Sequence, residues 1–165
     1  LLVLMFFGVL EMGMVLRTRT AMTDASREAA RTAAALPRVD GFQNNALAAV
    51  NGVIANNRGE PIDYVVIYRA DPNTGDPLSG EAVESCFTDC WRYERLAGNF
   101  QQKLGATWNA ADQSACGGVG DTDWLAVYIR GHYRGVTPML TLDRTFTDRT
   151  VMRLEPMELD VRCRP

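Results

Sequence analysis

The sequence predicts an α+β fold: one long N-terminal helix, then a second helix packed on an antiparallel β-sheet head. Three observations carry this. Residues 1–35 contain no proline and pass without a break from an apolar run, LLVLMFFGVLEMGMVL, into the charged, small-residue segment RTRTAMTDASREAARTAAA. A second helical period follows Pro37. The remainder holds β-branched and aromatic runs separated by Gly, Pro and Asp. The chain therefore divides into a rod, residues 1–36, and a head, residues 37–165.

Within the rod, Gly8 and Gly13 are the weak points, each costing roughly 1 kcal/mol against Ala in a helix. The apolar run Leu1 to Leu16 spans about 24 Å as a helix, whereas a membrane span usually needs ~20 apolar residues. Processing, or residues preceding Leu1, is therefore expected. A cleaved signal peptide fits poorly. Glu11 and a long helical pattern follow the run, and the Ala33–Ala35 tract lies too far downstream for a cleavage site. A carboxylate among apolar residues needs a reason, because it costs ~2.5–3.5 kcal/mol at a bilayer centre. Glu11 either sits at an interface or protonated, or pairs with a basic group on a neighbouring subunit. Met12, Met14 and Met22 read as packing residues rather than metal ligands.

In the wet half, Ala21, Ala25, Ala29 and Ala33 recur every four residues and make a small stripe that lets a helix or sheet approach closely. Asp24 with Arg27, and Glu28 with Arg31, are spaced for i,i+3 ion pairs. Five arginines outweigh three acids between residues 17 and 40, while residues 41–165 carry sixteen acids and twelve bases. A basic neck beneath an acidic head favours self-association. Arg17 and Arg19 would place the C-terminal side in the cytoplasm, but the cysteines point outward and outweigh them.

The head reads coarsely in order. Phe42 to Asn57 is a helix with Phe42, Ala46, Ala49, Val50, Val53 and Ile54 on one face. Ile62 to Arg69 is a strand, and Ala70 to Glu84 a Pro/Gly/Asp loop. Trp91 to Gly105 has room for a short helix, and Ser114 to Asp123 is a Gly-rich loop. Trp124 to Tyr133, Arg144 to Leu154 and Met157 to Cys163 are strands, with Leu125, Val127 and Ile129 sharing a face. Four separated strands after two helices give the antiparallel head.

Cys86, Cys90, Cys116 and Cys163 form an even set beyond the apolar segment, which implies disulfides in an oxidising compartment. The expected pairs are Cys90–Cys116, closing the long irregular insert, and Cys86–Cys163, pinning the last strand. The spacing lacks two close ligand pairs, so it does not favour zinc. The loop Asp71-Pro72-Asn73-Thr74-Gly75-Asp76 gathers oxygens like a calcium loop, but Gly75 and Ala82 fall where ligands belong, and turn chemistry accounts for it. No metal or cofactor is expected.

The chain carries a net charge of −3, and sixteen of its seventeen basic residues are Arg. It shows no basic run interleaved with aromatics, which gives nucleic-acid binding no support. His132, the single histidine, lies on a strand without a nucleophile elbow nearby. Gly117-Gly118-Val119-Gly120 lacks the residues of a phosphate loop. No enzyme activity is expected.

The stretch GVLEMGMVLRTRTAMTDASREAARTAA resembles the TadE-like family, pilin-like proteins of the tight-adherence (Tad) type IV pilus system. Gly8, Glu11, Met12 and Gly13 match the family's Gly-x-x-Glu-Phe-Gly segment, with Met12 for Phe. Residues 25–31, Ala-Ser-Arg-Glu-Ala-Ala-Arg, match its small-residue helix. TVMRLEP, Thr150 to Pro156, is similar to the tail of some members. Family members usually carry another Glu upstream, in a region that would precede Leu1. The resemblance implies a type IV pilin-like subunit held in the inner membrane, handled by the pilus assembly machinery, and joined to other subunits in an extracellular, cell-surface filament. It implies assembly through the helix, with Leu4, Phe7, Gly8, Glu11, Gly13, Leu16, Ala21, Ala25 and Ala29 in the packed core. The alternative is a monomeric, membrane-anchored extracytoplasmic binding module with the same head.

Overall fold

A computed structural model describes residues 2–56, 62–104, 108–116, 122–135 and 143–157. It is α+β. Helix α1, Leu2–Ala34, is followed by α2, Phe42–Asn56. The strands are β1 (Ile62–Ala70), β2 (Cys90–Leu96), β3 (Asn99–Leu104), β4 (Trp124–Arg134) and β5 (Asp143–Arg153), with short 3-10 turns at Val83–Ser85 and Ala110–Asp112. They form one sheet in the order β3-β2-β1-β4-β5, antiparallel throughout.

Helix α1 runs its full length because nothing in it forbids helix. It stops before Pro37, which disfavours helical geometry in the residue preceding it. Arg38 turns the corner with φ 56°. That corner is fixed by Gln113: its side-chain carbonyl accepts the Arg38 N–H at 2.7 Å, and its backbone carbonyl accepts Arg38 Nη1 at 2.7 Å. Helix α2 returns along α1 and buries Phe42, Ala46, Val50 and Ile54, the face its periodicity indicates.

The central strand β1 is buried on both faces over Tyr64–Tyr68, which explains why it reads as a continuous apolar run rather than an alternation. Val65 and Ile67 join Leu125, Val127 and Ile129 of β4 beneath the helices. Tyr64, Val66 and Tyr68 point the other way, into a smaller cluster with Ala126, Cys86 and Cys90, against which Val83 packs.

Trp91 to Gly105, where the sequence leaves room for a short helix, holds the β2–β3 hairpin instead. Trp91 and Tyr93 stack with ring centroids 6.4 Å apart, while Arg92 and Glu94 form an ion pair at 3.2 Å. Leu96 pairs with Asn99, so the connection is two residues long. Ala97 and Gly98 both have positive φ, 50° and 87°, the geometry of the tight hairpin turn whose twist suits strands. The alternation in WRYERL outweighs its helix propensity. At the other end of the chain, Met157 makes a parallel bridge with Cys116, and the remainder of the expected Met157–Cys163 strand lies outside the described residues.

The expected cysteine pairing is corrected: Cys86 and Cys90 are bonded to each other, with Cα atoms 5.9 Å apart, which excludes both Cys90–Cys116 and Cys86–Cys163. The physical reason is the intervening turn. Asp89 takes φ 55°, and the Glu81 carboxylate gathers the N–H groups of Phe87 and Thr88, each at 2.9 Å. The Thr88 and Phe87 N–H groups hold that carboxyl below its usual range. Cys116 is disulfide-bonded as well, and Cys163 lies outside the described residues.

Asp123 ties three parts of the head together. It is 7 % exposed, accepts Arg69 Nη2 at 2.7 Å and the Ser114 N–H at 2.7 Å, and its carbonyl accepts the Leu154 N–H at 2.9 Å. Asp123→Ala strips the Ser114 N–H of its acceptor and leaves Arg69 only the more distant Asp89 carboxylate, 3.8 Å away. Because Arg69 is about a third exposed, the expected loss is about 2–3 kcal/mol rather than the full value for a buried pair, read as a lower urea midpoint with unchanged slope. Ala97→Asn has the opposite sign. Asn tolerates positive φ better than Ala, so a gain of about 0.5–1 kcal/mol is expected in the same measurement. A loss there would mean that the turn is not of this type.

Candidate assembly surface

Helix α1 has two halves with different surroundings. From residue 18 onward one face is buried: Thr18, Ala21, Met22, Ala25, Ser26, Ala29, Ala30, Ala33 and Ala34. Before it, large apolar side chains stand in the open. Leu2 is 82 % exposed, Val9 75 %, Phe6 64 % and Leu16 52 %. Leu4, Met5, Leu10 and Met12 are exposed too. Exposed apolar surface this contiguous marks a contact site. Phe6, Val9, Leu10, Gly13, Met14 and Arg17 line a shallow groove along it. No helix among the described residues is long and apolar enough to cross a membrane.

The residues that the sequence assigns to the packed helix core separate into two groups. Leu4, Gly13 and Leu16 are exposed, and Phe7 and Gly8 are half-buried. A Cβ added at Gly8 or Gly13 would meet nothing within 4 Å, so both are open notches. Ala21, Ala25 and Ala29 are 6 %, 1 % and 0 % exposed. Their stripe is covered by this chain's own head, a close approach of helix and sheet, whereas the resemblance implied places for these alanines in a core shared between subunits. Small side chains there let the helix lie close to α2, β4 and β5.

The polar anchors of this contact come from β5. Ser26 donates to the Asp148 carboxylate, Thr23 donates to the same group at 3.3 Å, and Ser26 Oγ lies 2.8 Å from Thr150 Oγ1. The expected Asp24–Arg27 and Glu28–Arg31 pairs are not closed. Exposed i,i+3 pairs are worth only tenths of a kcal/mol, too little to outweigh the freedom of long side chains.

Glu11 is 1 % exposed, and the Tyr133 hydroxyl donates to its Oε1 at 2.9 Å. Its partner therefore lies on β4 of the same chain, 122 residues away. Sequence reasoning weighed a neighbouring subunit and an interface for Glu11 and missed Tyr133. The one available signal was that Tyr133 ends a strand whose alternate residues face the helices.

Other candidate residues have ordinary partners. Asp71 Oδ1 accepts the N–H groups of Asn73 and Thr74 at 2.7 and 3.0 Å, and Asp76 pairs with Arg149 at 2.5 Å, as turn chemistry requires. The Thr74 N–H, then that of Asn73, holds the Asp71 carboxyl below its usual range. His132 Nδ1 lies 2.6 Å from Asp63 Oδ1 on the neighbouring strand. Glu81, Cys86 and Cys90 come close enough to hold a cation, but the two sulfurs are bonded to each other.

The family model described as TadE-like protein matches residues 1–31. No curated protein and no solved structure matches the chain. The resemblance read from Gly8, Glu11, Gly13 and the residue 25–31 segment is thus found where those residues lie, and it associates the chain with the pilin-like proteins of the Tad pilus in the cell envelope.

Removing the Tyr133 hydroxyl leaves a buried acceptor one donor short, so Tyr133→Phe is expected to cost about 1–2 kcal/mol. Glu11→Ala should cost at least as much. The double variant should fall short of the sum by more than about 0.5 kcal/mol. Simple additivity in thermal or urea unfolding would show that the two groups do not act together.

Proposed function

We propose that the protein is a structural, pilin-like subunit of an extracellular Tad-like type IV pilus, assembling through its N-terminal helix. The observation that carries this reading is the apolar half of α1. It is helical and continuous with the head's core, yet from Leu2 to Leu16 most of its large side chains are exposed. Helix packing against identical helices would cover them. Storage in the cytoplasmic membrane, before the assembly machinery draws the subunit into the filament, would cover them in the meantime. The TadE-like match over the same residues supports the reading, as do the disulfides of the head, which suit an oxidising exterior.

Deleting residues 1–16 is expected to leave a soluble, folded head that forms no filament. Circular dichroism and electron micrographs of the intact and shortened chains check this. Filaments from the shortened chain would overturn the proposal. An intact chain that remains monomeric at high concentration would favour a membrane-anchored binding module instead.

A further inference from the structure

The head carries a hollow that assembly through α1 does not use. It lies at one end of the sheet, has a volume of about 410 Å³, and is lined by Arg69, Pro72, Leu78, Trp124 and Arg153 together with Thr122 and Asp123. Small-molecule clefts begin at roughly 300 Å³. The strand register builds it. Trp124 pairs with Ala70 on one side and with Arg153 on the other. Cross-strand partners share a face, so the indole and the Arg153 guanidinium arise as neighbours. Ala70 adds no bulk beyond its Cβ. The loop that follows it supplies Pro72 and Leu78, and the Leu78 N–H, donating to the Arg69 carbonyl at 2.9 Å, holds that loop to the strand end.

The charges in this hollow do not cancel. Asp123 is committed: one oxygen accepts both Nε and Nη2 of Arg69, and the other accepts the Ser114 N–H. Arg153 is not. Its Nε donates to the hydroxyl of the buried Thr122, which orients the guanidinium. Its two terminal nitrogens make no hydrogen bond or ion pair among the described residues, and neither does Trp124 Nε1. One uncancelled positive charge, presented as a fork, suits a carboxylate, which two parallel N–H groups grip together. A doubly charged phosphate would leave one of its charges uncompensated. Pro72, Leu78 and the indole supply apolar surface for the rest of such a ligand.

We propose that this hollow binds an acidic sugar, a hexuronate residue of a polysaccharide. The carboxylate meets the Arg153 fork, the C–H face of the sugar ring lies against Trp124, and the hydroxyls turn to water at the open side. A peptide ending in a carboxylate offers the same charge, but it brings main-chain N–H and C=O groups that need partners. The main-chain groups bordering the hollow are already engaged. The Asp123 N–H donates to the Ser114 carbonyl, the Asp123 carbonyl accepts the Leu154 N–H, and the Leu78 N–H is taken by Arg69. The hollow involves no residue of α1, so the inference stands apart from the filament reading.

Calorimetric titration of the full chain, held in detergent micelles, with trigalacturonate tests the proposal. Trigalacturonate is expected to bind about tenfold or more tightly than the neutral trisaccharide maltotriose. Arg153→Gln should weaken it about tenfold, the loss of one charge-assisted contact. Arg144→Gln removes the same charge from the same strand, outside the hollow, and should leave binding unchanged. Both arginines are exposed, so the fold is expected to survive either change. Equal loss in the two variants would mean general attraction to a polyanion and would overturn the site. No binding by the wild type, equal affinity for maltotriose, or full binding by Arg153→Gln would overturn it too. Tighter binding of a tripeptide with a free carboxylate would assign the hollow to peptide ends instead. In a second arm, trigalacturonate should change the tryptophan emission of the wild type. Trp124→Phe, which keeps an aromatic ring, should retain most of the binding and lose that change. A change that persists would place the sugar elsewhere and overturn the proposal.

Discussion

The close approach of α1 to the head is the contact on which the rest of the structure depends. Ala25, Ala29, Ala30 and Ala33 are essentially buried and offer no long side chains to hold the helix away. The helix therefore lies against α2 and the β4–β5 side of the sheet at once. Ser26 and Thr23 add a polar fixing point at Asp148. Further toward the N-terminus, Tyr133 reaches the helix at Glu11. Together these contacts hold α1 from residue 11 to residue 34, so the apolar segment before them projects in a fixed direction. A rod that merely tethered the head would give no defined geometry to a neighbour.

The head closes around this contact with a few economical fastenings. Gln113 holds the corner between the helices, Asp123 joins β1 to the start of the Ser114 loop and the end of β5, and Glu155 donates its N–H to the carbonyl of Ala34 at 3.0 Å. The last of these returns the chain after β5 to the end of α1. The two faces of the sheet are covered differently: helices on one, and the loop bearing the Cys86–Cys90 bond on the other. That second cover is short, which is why the tyrosines beneath it combine burial with polar neighbours. Burial pushes the Tyr128 hydroxyl up to about 12.

Much of this was legible from local pattern. An uninterrupted helical period defines α1, and runs of β-branched and aromatic residues define β1, β4 and β5, because burial and backbone preference agree there. The β2–β3 hairpin was harder to read. Its strands are rich in Arg, Glu, Gln and Lys, and its turn uses Ala97 where Asn would have advertised positive φ. The disulfide was misread because closing the longest loop is the natural expectation from spacing alone, whereas the decisive feature is a turn built by Glu81 from six and seven residues away in sequence. The Ala stripe was legible as a face that a helix or a sheet approaches closely, and α2 and the β4–β5 side of the sheet lie on it. A small face tells that something approaches closely, not whether it belongs to the same chain. Tyr133 as the partner of Glu11 required the three-dimensional fold.

The two borders of the sheet have a consequence for growth. One is β3, NFQQKL, a strand of six polar-rich residues. The other is β5, where Asp143, Arg144, Asp148, Arg149 and Arg153 punctuate eleven residues. Unpaired strand borders invite further strands, and charges along them discourage it. Both lateral routes to an extended sheet are thereby made unattractive, so amyloid-like stacking competes poorly with any other mode of polymerisation. Among the described residues, the longest run of exposed large apolar side chains lies at the start of α1, while Leu78, Phe87 and Leu96 stand singly on the head, so stickiness is concentrated at one end of the molecule.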